Sequence, residues 1–507
     1  MTLFDTLYVA PPALAAQAPI LAIVGPLIGA CAAALSPGGR SGWIISVLTA
    51  AFALWMSLAV ACDVAREGVV LYVIGGFQPP LGISLRIDAL GSAMALLVSS
   101  IGFVGAVYSG HALVSEIRAE THTLFQSGYL LCIAGFLGLV STGDAFNAFV
   151  FLEVSSIGTY ALVAAGEQRD RRALPAAFNY LVMGTIGATF YVIGIGFLYG
   201  VTGTLNMADM AARLAPLGDN TAAQAGFAFI VVGLGIKAAI FPLHGWLPGA
   251  YAGAPSLVSV FLAATATKTA IYLIARFTFA VFPDTSAFGQ IFVHVVLAPL
   301  AAVAVIVCSV QAILEKEVRR ILAYSSVAQV GFIILGLTLA NAAGVSAALF
   351  FIFAHALIKA ALFMALGALA ISVKARTLED FAGVARDAPW SAAAFGIGAA
   401  SLAGLPLTMG FLAKWKLVEA ALQGGAIWML VVVAAGSLLT LVYAGRMIEA
   451  MFFRPSLPGA ARAREAPVGV LVPLWVLAGL SVWFGVNASL PESLANSAAA
   501  ALFGAAR

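Results

Sequence analysis

The sequence predicts an all-α polytopic membrane protein with about fourteen transmembrane helices. Three observations predict it. Hydrophobic residues make up 62% of the 507 positions and charged residues only 9%, where a soluble domain carries about 25% charged residues. Apolar runs of about 20 residues, enough to cross a bilayer as a helix, recur along the whole chain. The loops between them divide by charge, with Lys and Arg gathered on one side.

The runs fall near 18–35, 42–61, 87–109, 124–142, 146–165, 175–200, 225–247, 255–281, 290–312, 319–339, 345–372, 391–422, 427–453 and 468–486. No polar linker separates them, so residues 1–507 are expected to form a single integral membrane domain. The Ala-rich stretch 15–18 resembles a signal-peptide cleavage site. Asp5 is the only charge before Arg40, however, so no basic leader precedes it and the first run is expected to be a retained span.

If the N-terminus lies outside, the inward loops hold Arg40, Arg118, Arg169, Arg171, Arg172, Lys316, Arg319, Arg320, Lys374, Arg376, Arg386, Arg454, Arg462 and Arg464. The outward segments hold Arg66, Arg86, Arg213 and Arg507. A miscounted helix would scramble this division, so the bias supports both the count and an orientation with both termini outside. The expected location is a bacterial inner membrane. Residues 63–88, with Gly75-Gly76 and Pro79-Pro80, read as a packed outward hairpin or turn, and 218–225 as another exposed connection.

Composition also excludes classes. A net charge of +3 is too small to suggest nucleic acid. Cys31, Cys62, Cys132 and Cys308 lie far apart without a CxxC pair, which excludes an iron–sulfur or zinc framework by spacing. No Walker or GxGxxG sequence is present. No cofactor is expected.

Ionisable residues inside spans are expensive and point to function. Glu153 lies in the fifth run, Lys237 in the seventh, Lys268 in the eighth, His355 and Lys359 in the eleventh, and Lys414, Lys416 and Glu419 in the twelfth. Snorkelling to the interface suits Lys416, Glu419, Arg276 and Arg446. It suits Lys237, Lys268 and Lys359 poorly, because one stem cannot reach water from mid-helix. His355 and Lys359, four residues apart, put two proton-binding groups on one helix face. Desolvation favours a neutral lysine, so such groups can titrate near neutral pH. A row of them bridged by water would pass protons laterally, and a Glu–Lys pair would hold or release a proton as it closed or opened.

Two runs are interrupted. The seventh contains Pro242, Gly245 and Pro248 after Lys237, and the twelfth places Pro406 between Gly404 and Gly410, close to Lys414. Proline removes a donor and clashes with the preceding turn, and broken membrane helices survive only where the freed carbonyls meet protein or water. Breaks five runs apart suggest inverted repeats, because an odd-numbered repeat must reverse its orientation.

The segments TGDAFNAFVFLEVSSIGTYAL (142–162), GIKAAIFPLHGWLPGAYAGAP (235–255), TKTAIYLIAR (267–276), LAYSSVAQVGF (322–332), HALIKAALFMALGAL (355–369) and FLAKWKL (411–417) resemble the signatures of the antiporter-like subunits of Mrp-type cation/proton antiporters and respiratory complex I. That resemblance implies two inverted five-helix repeats (about 124–281 and 290–453 here) with broken seventh and twelfth helices. It also implies a proton relay carried by Glu153, Lys237, Lys268, His355, Lys359 and Lys414, to which His244 in the seventh-run break is added. GGFQPPLGISLRIDALGSAM (75–94), TGTLNMADMA (202–211) and Tyr251 are similar to the D type among the Mrp antiporter proteins. The implied function is that of a subunit exchanging Na⁺ or another monovalent cation for protons, alongside other membrane subunits of a hetero-oligomer. The alternative is a proton-pumping subunit of a complex I-like or hydrogenase-type redox complex. No acidic cluster in the spans resembles a Na⁺ cage, so the cation is expected to cross elsewhere.

Overall fold

The computed structural model describes residues 9–168, 170–282, 289, 291–371, 375–456 and 463–504. Arg169, Lys374, Arg462 and Arg507, used above for orientation, lie outside the described residues. Among the described residues, twelve helices are long and apolar enough to cross a membrane. A shorter apolar helix, Ala18–Ala34, supplies the first span. A divided one, Pro389–Ala403 followed by Met409–Gln423, supplies the twelfth. Each of the fourteen expected positions is therefore occupied.

The face on which the first span begins, expected from the loop charges to be outward, is termed the outer face. Side chains fix where spans start there. Asp88 accepts the Gly91 amide at 2.9 Å to begin Ala89–Ala112, and Asp144 accepts that of Asn147 at 2.7 Å to begin Ala145–Ala164. Such caps satisfy first-turn amides that have no partner within the helix. Within the stretch 63–88, residues 63–67 continue the second-span helix, Gly39–Glu67, and the rest forms the expected hairpin: β1 (Val70–Val73) pairs antiparallel with β2 (Ser84–Ile87), from Val70↔Ile87 to Val73↔Ser84. Ser84 also accepts the Gly143 amide at 2.9 Å, fastening the hairpin to the turn between the fourth and fifth spans.

The sixth and seventh spans, Ala173–Thr202 and Thr221–Ala238, touch through glycine. A Cβ on Gly194 would stand 2.6 Å from the Gly226 carbonyl, and Gly187 lies against Gly233 in the same way one heptad along. Lipid tails are as apolar as the helices, so close backbone approach is what holds such a pair together.

Among the described residues two spans are broken, and π turns occur in three others: the eighth, the ninth at Phe292–Leu297 and the thirteenth at Glu449–Phe453. The seventh ends at Ala239 in the left-handed region and resumes as Leu247–Gly253. The twelfth breaks at Gly404, φ +87°, and Leu407, φ +67°. The eighth is unbroken, but π turns at Leu262–Ala266 and Phe277–Val281 flank its α-helical middle, Thr267–Arg276.

One hydrogen-bond pattern occurs twice. At the start of the fifth span, Ala145 donates to the Leu205 carbonyl (2.8 Å) and Met207 donates to that of Gly143 (2.9 Å), joining the fourth–fifth turn to the chain after the sixth span. At the start of the tenth, Val318 donates to Arg376 (2.9 Å) and Leu378 to Lys316 (3.0 Å), joining the ninth–tenth turn to the chain after the eleventh. Five spans separate the two, so they lie on opposite faces.

Two features depart from the sequence reading. Arg276, expected to snorkel, is buried and paired with Asp88, the residue that caps the third span. A further helix, Ser489–Gly504, follows the fourteenth span. Its Glu492 accepts Lys416 Nζ at 2.6 Å, and Phe503 packs against Phe279 with ring centroids 5.5 Å apart.

Candidate functional site

Lys237 occupies the last turn of the seventh span's first segment. An ammonium has three donors, and each has an acceptor on the fifth span: Ser156 Oγ at 2.7 Å, Glu153 Oε1 at 3.2 Å and Tyr160 Oη at 3.2 Å. Residues 153, 156 and 160 share one helix face by their spacing. The break just beyond frees carbonyls, and the Trp246 indole takes one of them, that of Ile236, at 2.8 Å.

Lys268 is fully buried at the centre of the bundle. Its ammonium donates to the carbonyl of Ala263, inside the first π turn, and to Thr267 Oγ1 at 3.2 Å. π turns lengthen the backbone hydrogen-bond step and recur at functional positions. The first π turn of the eighth span packs against the eleventh, Ala342–Ala370, which carries His355 and Lys359. Lys359 donates to the Leu322 carbonyl at 2.9 Å and to Ser325 Oγ. His355 lies one turn before it, equally buried, and neither ring nitrogen has a hydrogen-bond partner among the described residues. Buried polar atoms are normally satisfied, so this imidazole stands out.

Lys414 lies in the second turn of the twelfth span's second half and reaches back over the break to the carbonyls of Leu402 (3.3 Å) and Ala403 (2.9 Å). Its ammonium also stands 5.8 Å from the centre of the Phe332 ring. The tenth span, Val318–Leu337, lines the ground between Lys359 and Lys414: Ser325 meets the first and Phe332 the second. Between them Gln329, with Ser325, lies against the Tyr443 hydroxyl of the thirteenth span.

His244 sits in the seventh-span break, stacked on Phe241 (5.4 Å) and edge-on to Tyr324 (6.5 Å), the neighbour of Ser325. The structure thus brings Glu153 together with Lys237, and packs the span of Lys268 against the one that carries His355 and Lys359. Lys414 and His244 stand apart from these groups, each against a residue of the tenth span. Among the described residues no three His, Cys, Asp or Glu side chains converge as a metal site would require. Sequence reasoning missed Ser156, Tyr160 and Ser325; the first two were detectable as polar residues three and seven positions after Glu153.

Residues 142–440 match the family model described as NADH:quinone oxidoreductase/Mrp antiporter, transmembrane. The chain belongs to this family. Its two broken spans, the eighth span and all seven candidate residues fall inside the matched stretch. The chain is 41% identical over 479 residues to the N component of NADH-quinone oxidoreductase from Desulforudis audaxviator, covering 91% of this chain and 94% of that one. It is 30% identical over 460 residues to the D component of the Na(+)/H(+) antiporter from Bacillus subtilis, covering 90% and 91%. Its fold is similar to that of a chain in the membrane-bound sulfane sulfur reductase, an archaeal respiratory membrane complex, with a TM-score of 0.88, 31% identity, and 96% and 98% of the two chains covered. Family members therefore occur in both antiporter and redox assemblies.

Proposed function

We propose that this chain conducts protons along Glu153, Lys237, Lys268, His355, Lys359 and Lys414, with His244 beside the row, as one membrane subunit of a larger complex that exchanges Na⁺ or another monovalent cation for protons. The observation that carries the reading is the environment of Lys237. A charged group with three partners on one neighbouring helix, placed one turn before a helix break, loses or gains those partners with a small movement of the break. Opening the pair favours release of the proton, because an unpartnered ammonium is costly in a low-dielectric interior. The orphaned imidazole of His355 supports a site at which a proton is labile. The recurrent hydrogen-bond pattern supports two inverted repeats, near 124–281 and 290–453. We place the protein in a bacterial inner membrane with both termini outside and other membrane subunits beside it.

A second reading has a specific observation in its favour: the 41% identity to a component of NADH-quinone oxidoreductase. In that reading the same row of residues is driven by electron transfer in a neighbouring arm. Purification from native membrane, identification of the co-purifying subunits and reconstitution into vesicles separate the two. Na⁺-dependent recovery of a pH gradient supports the first reading, and proton uptake that requires a reductant and a quinone supports the second. Failure of both to move protons overturns the conduction they share.

A further inference from the structure

The eighth span is gripped at both ends by one helix. The third span, Ala89–Ala112, packs against its first half, and a buried carboxylate lies just beyond each end of that helix. At the outer face Asp88 meets Arg276 through both carboxylate oxygens, the Nη2–Oδ1 distance being 2.8 Å, and Arg276 also donates to Tyr272 Oη at 3.1 Å. Tyr272 in turn donates to the Val140 carbonyl at 3.0 Å, at the end of the fourth span. At the inner face Glu116 Oε2 accepts the Ser256 amide at 2.6 Å and its hydroxyl at 2.8 Å, where the eighth span begins. The other Glu116 oxygen lies 3.6 Å from Arg319, whose Nη1 donates to the Ala254 carbonyl at 2.8 Å. Asp88, Glu116, Arg276 and Arg319 are all less than a tenth exposed.

Between these grips lies the first of the span's two π turns. The π turn Leu262–Ala266 presents the Ala263 carbonyl to Lys268, five residues on. A π turn is a register slip, and register sets which way Lys268 points. Residues 268, 272 and 276 follow at intervals of four, so Lys268, Tyr272 and Arg276 share one face of the helix. Holding Arg276 therefore holds the rotation of that face, while holding Ser256 fixes the height of the helix start.

We propose that Asp88 and Glu116 are positioning residues for Lys268: by fixing rotation at one end and height at the other, they keep its ammonium facing His355 and Lys359. This inference rests on the proton-conduction reading. Neither carboxylate touches Lys268, and neither carries the proton. A bidentate carboxylate–guanidinium pair suits the task because it fixes orientation as well as distance.

Asp88→Asn tests the outer grip with little collateral loss, because asparagine also caps a helix through its side-chain oxygen. Glu116→Gln likewise keeps an acceptor for Ser256 while removing the charge facing Arg319. In the assembled complex each variant should reach near-normal levels, lower proton transport roughly 10- to 100-fold, as a displacement on the ångström scale does, and move the pH of half-maximal transport. A purely structural role would lower assembly and leave that pH where it was. If Asp88→Asn does not assemble, Arg276→Lys carries the same test, since it keeps the charge without the two-point geometry. Wild-type rates and an unchanged pH profile in these variants, with Lys268→Ala inactive, would overturn the grip and leave the relay standing. Full activity of Lys268→Ala overturns both.

Discussion

Lys414 donates to the carbonyl of Ala403 at 2.9 Å, across the break in its own span. The carbonyls at the end of a helix carry the negative end of its dipole, so Lys414 makes its hydrogen bonds to backbone, with the Phe332 ring 5.8 Å away. Its counterpart, Lys237, is held by side chains. The difference predicts different sensitivities. Lys414→Met should abolish proton transport while leaving assembly near normal, because the Leu402 and Ala403 carbonyls border the break where other donors can reach them. A Lys414→Met complex transporting at the wild-type rate would remove Lys414 from the row.

Ser156 is the closest partner of Lys237, nearer than Glu153. Hydrogen bonds to charged groups contribute about 1.5–3 kcal/mol, so Ser156→Ala should slow transport by roughly one to two orders of magnitude. Glu153→Gln should lower the proton affinity of Lys237, and Lys237→Ala should stop transport, with the complex still assembled. The ordering is measured by pH-gradient recovery in vesicles. Equal rates for Ser156→Ala and wild type would assign that contact to packing.

Much of this was legible in the sequence, for reasons specific to particular residues. Lys237 and Pro242 declare both a buried charge and a break, because each is expensive in a membrane and visible by type. Asp88 and Arg276 are 188 positions apart and lie near span ends, where either would normally snorkel; only packing brings them together. Ser489–Gly504 escaped because its Ala-rich sequence carries Pro491, Glu492 and Asn496 and lacks the unbroken apolar run that marks a crossing.

Membrane topology follows from loop charge. Arg171 and Arg213 are exposed and precede and follow the sixth span. Cysteines introduced at the two positions should react with an impermeant reagent from opposite sides of the membrane. Labelling of both from one side would break the fourteen-span arrangement.

The inner face should be acid-sensitive. Asp170 accepts from Arg172 at 2.8 Å and lies 3.4 Å from Arg376, while Arg172 also pairs with Glu317 at 3.2 Å. Burial alone would raise the Asp170 carboxyl, but the hydrogen bonds and charge of Arg172, with the charge of Arg376, outweigh it and leave the group below its ordinary value of 3.8. A carboxyl depressed on folding stabilises the folded state above its ordinary value, and the contribution is lost as pH falls towards the depressed one. Asp170→Asn should therefore melt earlier than wild type at about pH 7, with the difference shrinking below about pH 4. A gap that stays constant down to about pH 3 would show that the ion pairs contribute nothing.

The isolated chain should not perform complete antiport. Vesicles containing it alone should show no Na⁺-dependent pH recovery, whereas the native assembly should. Robust exchange by the single chain would place the cation path within it.

The twin backbone stitches, Ala145 to Leu205 and Val318 to Arg376, have a consequence for mutagenesis. Each ties the ends of three consecutive helices at one face, and the two faces are opposite. Because both stitches are made of main-chain atoms, no side-chain substitution removes them unless it introduces proline, which lacks the donor.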